Sequence, residues 1–160
     1  MKYLLAIIIA VVLVGCKAYE PPKEYNFEKT KTINKNYDAI WSELIAWFGS
    51  ENIPIRTIDK ASGIISTDYS LSPDKFAYYA DCGSSGFMKE VMRDGLTANF
   101  NVVAAKVTDL ETKVTINVFF NSKIKETIYS TRGKYEDVIT DTKCNSRGLL
   151  EEKIFKKISQ

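Results

Sequence analysis

Three thiols, a set of carboxylates and two adjacent serines are the groups in this chain that could do chemistry. The thiols are Cys16, Cys82 and Cys144. Cys16 closes an N-terminal apolar run, which leaves Cys82 and Cys144 as an even pair. In an exported protein such a pair reads as a disulfide. A Cys82–Cys144 bridge would close a loop of about 60 residues, worth about 4 kcal/mol at most in chain entropy. The alternatives are two free thiols in a reducing compartment, or a thiolate metal site. The latter would need further ligands, and no CxxC spacing is present. Asp74, Asp81, Glu90 and Asp94 could supply a carboxylate pair for acid–base work, although such acids are usually a solvated surface. Ser84 or Ser85 would need a base, and Lys89 is the nearest cation in sequence. The chain contains no histidine. That removes Ser-His-Asp and Cys-His catalysis, His-ligated zinc and the commonest general base near neutral pH. The expectation is a protein that is not an enzyme, with no cofactor and no metal.

The N-terminus carries one cation, Lys2, then an apolar run over residues 3–14, then Gly15 and Cys16. A spanning helix needs roughly 20 apolar residues, so this run reads as a secretory leader. The ending Leu13-Val14-Gly15-Cys16 resembles the lipobox of bacterial lipoproteins. The resemblance implies that residues 1–15 are cut off as a signal peptide and that Cys16 is acylated. Two acyl chains hold a protein firmly on a bilayer, each buried methylene contributing about 0.8 kcal/mol. The implied partner is therefore the membrane, reached through the N-terminal lipid. In that family an aspartate after the cysteine often retains the protein at the inner membrane, and this chain has Lys17 there. The expected location is the cell envelope, at the outer membrane facing the periplasm.

Lys and Arg number 22 against 20 Asp and Glu, a formal net charge of +2 that falls by one when Lys2 leaves with the leader. Such a balance gives no reason to expect nucleic acid. The length after the leader suits one domain. Residues 16–35, with Pro21-Pro22 and scattered charges, read as the lipidated cysteine and a tether, with an edge strand within 25–33. Ile40, Trp41, Leu44, Ile45 and Phe48 make an apolar stripe that predicts a helix over 37–49, capped by Asn36 or Asp38 and ended by Gly49. Strands over 53–59 and 64–70 with a turn at 60–63 predict a hairpin. Residues 71–95 break the pattern and read as a long irregular connection. Long strands over 96–108 and 112–121 follow, of a length that requires curvature or a bulge, then a third over 125–131. Residues 132–146 read as polar connection. A helix over 147–158, capped by Asn145 or Ser146, closes the chain, with Glu151 and Glu152 in its first turn and Lys156 and Lys157 in its last.

This order predicts a single α+β domain over 36–160, an antiparallel sheet curved around helices. The motifs Tyr37-Asp38-Ala39-Ile40-Trp41, Ile53-Pro54-Ile55 and Ser62-Gly63-Ile64-Ile65-Ser66-Thr67-Asp68-Tyr69 resemble the helix-grip domains of BamC-type outer-membrane lipoproteins. The resemblance covers about residues 33–158. It implies a helix-grip fold and no catalytic residues. BamC itself carries two such domains and a long unstructured N-terminal segment, whereas one copy fits here. The function expected is a non-enzymatic scaffold or accessory module of the envelope, with an envelope protein as partner. Phe76, Tyr78 and Tyr79 are the candidate partner or ligand surface. The alternative is a lipid or small apolar ligand held between sheet and helix, with Phe100 and Phe119 joining those three aromatics.

Overall fold

A computed structural model of the chain describes residues 17–69 and 71–160. In order the elements are β1 (Thr30–Ile33), α1 (Tyr37–Ser50), β2 (Ile55–Asp59), β3 (Ile64–Tyr69), α2 (Pro73–Tyr79) and β4 (Ala80–Asp81). Then come β5 (Lys89–Lys106), β6 (Thr112–Tyr129), β7 (Tyr135–Ser146) and α3 (Leu149–Ile158). The fold is α+β, one antiparallel sheet with the order β2-β3-β5-β6-β7-β4. Strand β1 pairs with the start of β6, Thr30 opposite Thr115 and Ile33 opposite Thr112. The free side of β6 is thus shared, β1 taking its first residues and β7 taking Phe120 to Tyr129.

Period-2 alternation decides which face of the sheet is covered. On β6, Val114, Ile116, Phe120 and Ile124 are buried, while Lys113, Phe119 and Lys123 at the alternate positions are exposed. The buried side carries the helices. Phe48 of α1 stacks on Phe100 of β5 at 5.4 Å between ring centroids, and Trp47 meets the same ring at 6.1 Å. Phe76 of α2 meets Phe120 edge to face at 5.3 Å. Leu150, Ile154, Phe155 and Ile158 of α3 complete the core. Helix α1 starts as its sequence predicts, the Asn36 side chain accepting from Ala39 N at 2.8 Å. Asp38 instead pairs with Lys60 at 2.7 Å. The helix runs one residue past Gly49, and Asn52 turns the chain with φ 53°.

Several elements differ from the sequence expectation. Residues 71–95 are not one irregular stretch: they hold α2, β4 and the start of β5. Pro73 sits at the first turn of α2, where its fixed φ is favourable and its missing N–H costs nothing. With Phe76 as its one buried residue, α2 has no apolar period to announce it. The strand expected at 125–131 is the continuation of β6, and the polar stretch 132–146 contains β7. The edge strand within 25–33 covers only its last four residues. Helix α3 is entered through Gly148 in the left-handed region (φ 79°), not through a side-chain cap from Asn145 or Ser146. Ser146 Oγ does accept from Gly148 N and donate to Glu151 Oε2. A Cβ on Gly148 would enter the ring of Phe27, which explains the glycine.

Strands β5 and β6 have 18 residues each, about 60 Å at about 3.3 Å per residue. The required irregularity lies between Met92 and Thr97, where the register with β6 shifts and Gly95 takes φ 83°. Beyond this bulge, residues 89–92, 123–129 and 135–141 form a three-stranded blade whose last strand is exposed throughout.

Candidate functional site

The root of the blade is covalently fixed. Cys82 and Cys144 are joined in a disulfide that links the loop after β4 to the end of β7. Asp81, one residue earlier, gathers three donors: Tyr25 Oη at 2.8 Å, Gly83 N at 2.8 Å and Lys23 N at 3.4 Å. Burial pushes its carboxyl up, but the Gly83, Tyr25 and Lys23 bonds and the Arg147 charge outweigh burial and hold it below the usual carboxylate range. The same bond from Tyr25 raises the phenol above its usual value, because donating to a carboxylate stabilises the protonated form. Arg147 lies over the Tyr25 ring at 5.6 Å and donates to Ala80 O. Other bonds fasten the N-terminal segment along the domain. Glu20 and Ser84 exchange two backbone bonds, Phe87 N donates to Lys17 O, and Asn145 Nδ2 donates to Lys23 O.

Beside the disulfide lies an open cavity of about 290 Å³, its apolar wall made by Phe76, Ala80, Met92 and Leu96 and its polar rim by Asp74 and Arg147. The interface between sheet and helices is filled instead by Phe48, Phe100, Leu44 and Ile154. The five aromatics that could have lined a sheet–helix pocket do not converge. Phe76 and Phe100 are core residues, and Phe119 faces solvent on the opposite side of the sheet. Tyr78 and Tyr79 meet edge to face at 5.1 Å and border a separate shallow cleft with Glu51 and Lys153.

The acids and serines also disperse. Asp74 and Asp81 both border the cavity, but Asp81 is committed to its three donors. Glu90 pairs with Lys125 at 2.9 Å, an interaction that raises the lysine above its usual value. The side chain of Asp94 lies outside the described residues. Ser85 Oγ accepts from Val91 N, and Lys89 reaches Glu126 at 3.5 Å and the Tyr19 ring at 4.8 Å. Among the described residues no three or more His, Cys, Asp or Glu gather to hold a metal ion, and no helix is long and apolar enough to cross a membrane. The leader and Cys16 lie outside the described residues.

The blade is the largest feature that sequence reasoning missed. Tyr135 through Asp141 of β7 are all exposed. Val138 and Ile139 show 40% and 54% of their surface, and Tyr129 and Tyr135 pair at the tip at 5.2 Å. Phe87 beside the root is 80% exposed. Single exposed apolar residues are ordinary; here several share one projecting unit. Among the described residues, the outer edge of β7 pairs with a strand only at Asn145 and Ser146, through β4. The run Val138-Ile139-Thr140 with Thr142 carried a β-branched signal, but acids at 136, 137 and 141 masked it. The chain matches no family model, no curated protein and no solved structure.

Proposed function

We propose that this chain is a cell-envelope lipoprotein, anchored through acylated Cys16 at the outer membrane and facing the periplasm, that acts as a non-enzymatic interaction module. Its domain is read as a single helix-grip-like unit of the BamC type. The observation that carries the proposal is the blade: three strands beyond the β5 bulge, with exposed apolar side chains and an open edge. Large exposed apolar groups on one projecting element mark interaction surfaces. The segment leading back toward Cys16 is bonded at the root of that element, through Glu20–Ser84 and Lys17–Phe87. A membrane anchor and a docking surface would thus meet at the disulfide.

The test has two parts. Labelled palmitate should enter the wild-type protein in its native host and not the Cys16→Ala variant. A photo-crosslinker at Ile139 should give discrete adducts in intact cells, and one at Leu110 on the far β5–β6 turn should not. Absence of label, or identical adducts from both sites, overturns the proposal. A second reading, a small apolar ligand, is favoured by the cavity beside the disulfide. Native mass spectrometry of the protein extracted from membranes would show a copurifying mass lost on Met92→Lys; a bare mass in every preparation ends that reading.

A further inference from the structure

We infer that the outer edge of β7 takes an extended, cationic segment of a partner protein as an added strand. The inference rests on the reading of the domain as an interaction module and names the chemistry of its partner. An open edge offers a row of unpaired N–H and C=O groups, and proteins ordinarily blunt such edges with bulges, cations, proline or a covering element. The opposite edge of this sheet is blunted so. Strand β2 is short, its register slips between Ile55 and Thr57, and Arg56 projects from it to Asp68 at 3.4 Å. Strand β7 has charge as its one such device, three acids and Lys143. It pairs with β6 without a register shift from Tyr135 to Cys144, contains no proline, and among the described residues has no element along its outer side up to β4.

Charge selects the occupant. Strand β7 carries Glu136, Asp137 and Asp141 against Lys143. Asp137 accepts the Thr127 hydroxyl at 2.7 Å, a neutral partner that leaves its charge in place. Lys123 stands opposite Asp141 on β6, and Lys125, opposite Ile139, pairs with Glu90 and also interacts with Asp137, so the acids of β7 are offset in part from within the sheet. A second copy of the chain would bring six carboxylates and two lysines to one seam, a like-charge arrangement. A strand that alternates Lys or Arg with β-branched residues sets its cations on the face of Asp137 and Asp141 and packs its β-branched side chains beside Val138 on the other face. Backbone bonds would supply affinity and the alternate side chains specificity.

The test uses the mature, disulfide-intact chain in detergent and three labelled ten-residue peptides. The first alternates Lys with Val and Thr, the second has Glu for every Lys, and the third keeps the lysines but has proline at two central positions. Fluorescence anisotropy should show saturable binding of the first, at least tenfold tighter than the other two. Hydrogen exchange should slow over 135–143 when it binds. The double variant Asp137→Lys/Asp141→Lys, with its fold checked by circular dichroism, should reverse the preference toward the Glu peptide. Equal binding of the Lys and Glu peptides, or none, overturns the inference. So does protection of 135–143 that grows with protein concentration alone, which would make a second copy the occupant. Crosslinks at Ile139 in cells without peptide selectivity would sink only the cationic-strand chemistry. Peptide selectivity without such crosslinks would sink the interaction-module reading instead.

Discussion

Tyr25 Oη donates to Asp81 Oδ2 at 2.8 Å, and so ties the N-terminal segment to the residue beside the disulfide. The two lie 56 positions apart in sequence, which makes the bond a tertiary clamp rather than a local turn. Its strength depends on Asp81 being charged.

Acid should loosen that clamp. The Asp81 carboxyl is held below its ordinary value in the folded protein. A depressed folded value contributes stability that is present above the unfolded value, about 3.9, and is lost as pH falls through the folded one. The urea midpoint of the wild type should fall below about pH 4 more steeply than that of Asp81→Asn. Tyr25→Phe should reduce the difference between them. Parallel curves for all three proteins would remove Asp81 from the account.

Glu151 should behave in the opposite sense. It is 1% exposed, with Oε1 lacking a hydrogen-bond partner. Burial pushes its carboxyl up, against the opposing pull of its own backbone N–H, Ser146 and Lys29. A raised folded value contributes stability at low pH that is lost as pH rises through it. Glu151→Gln, which keeps the shape of the protonated form and carries no charge into the interior, should therefore stabilise the protein at pH 7 by about 1 kcal/mol, the low end of what burying an uncompensated polar group costs. The gain should vanish below about pH 4. Denaturant melts at both pH values decide it, and destabilisation by Gln at pH 7 would refute the burial argument.

Loss of the disulfide should be costly. Cys82 and Cys144 are separated by 62 positions, for which chain entropy gives about 4 kcal/mol, an upper figure. The double variant Cys82→Ala/Cys144→Ala should unfold at markedly lower urea. Hydrogen exchange should rise first in 135–146 and 80–87, the strands and loop the bridge joins. Uniform acceleration across the sheet would contradict the assignment of the bridge to the blade root.

A single methyl group at Gly63 should also be felt. Gly63 has φ 72°, and a Cβ there would run into the Ala104 carbonyl, next to the bond from Ala104 N to Gly63 O. Gly63→Ala should cost about 1–3 kcal/mol, while Gly49→Ala, with open space around it, should be neutral or stabilising. Thermal melts of the two variants suffice; equal midpoints would rule out the close approach.

How legible the chain was follows from how its signals are made. Helix α1 could be read because Ile40, Leu44 and Phe48 repeat on one face and Asn36 supplies a cap. The central parts of β5 and β6 could be read because their apolar residues alternate over a buried face, and the β2–β3 hairpin, whose first strand is exposed throughout, could be read from its β-branched residues and the turn at Gly63. The pairing of Cys82 with Cys144 followed from counting. The blade was illegible for the same physical reason that makes it interesting: from Tyr135 to Asp141 β7 buries neither face, so burial imposes no alternation there. Helix α2 was hidden because seven residues with one buried side chain set no period. Phe76, Tyr78 and Tyr79 are neighbours in sequence, but one helical turn sends Phe76 into the core, leaves Tyr78 exposed and packs Tyr79 partly against the core.

The covalent bridge at the blade root also fixes where tension would travel. Force applied along β7 reaches Cys144, crosses to Cys82, and passes through the Ser84–Glu20 bridge toward Lys17. That route skirts the packed layer of Phe48, Phe100 and Ile154. A tug on the projecting strands would therefore be shared at Cys144 between the sulfur bridge and the β6 ladder, and the N-terminal segment would carry part of a load that otherwise enters the core.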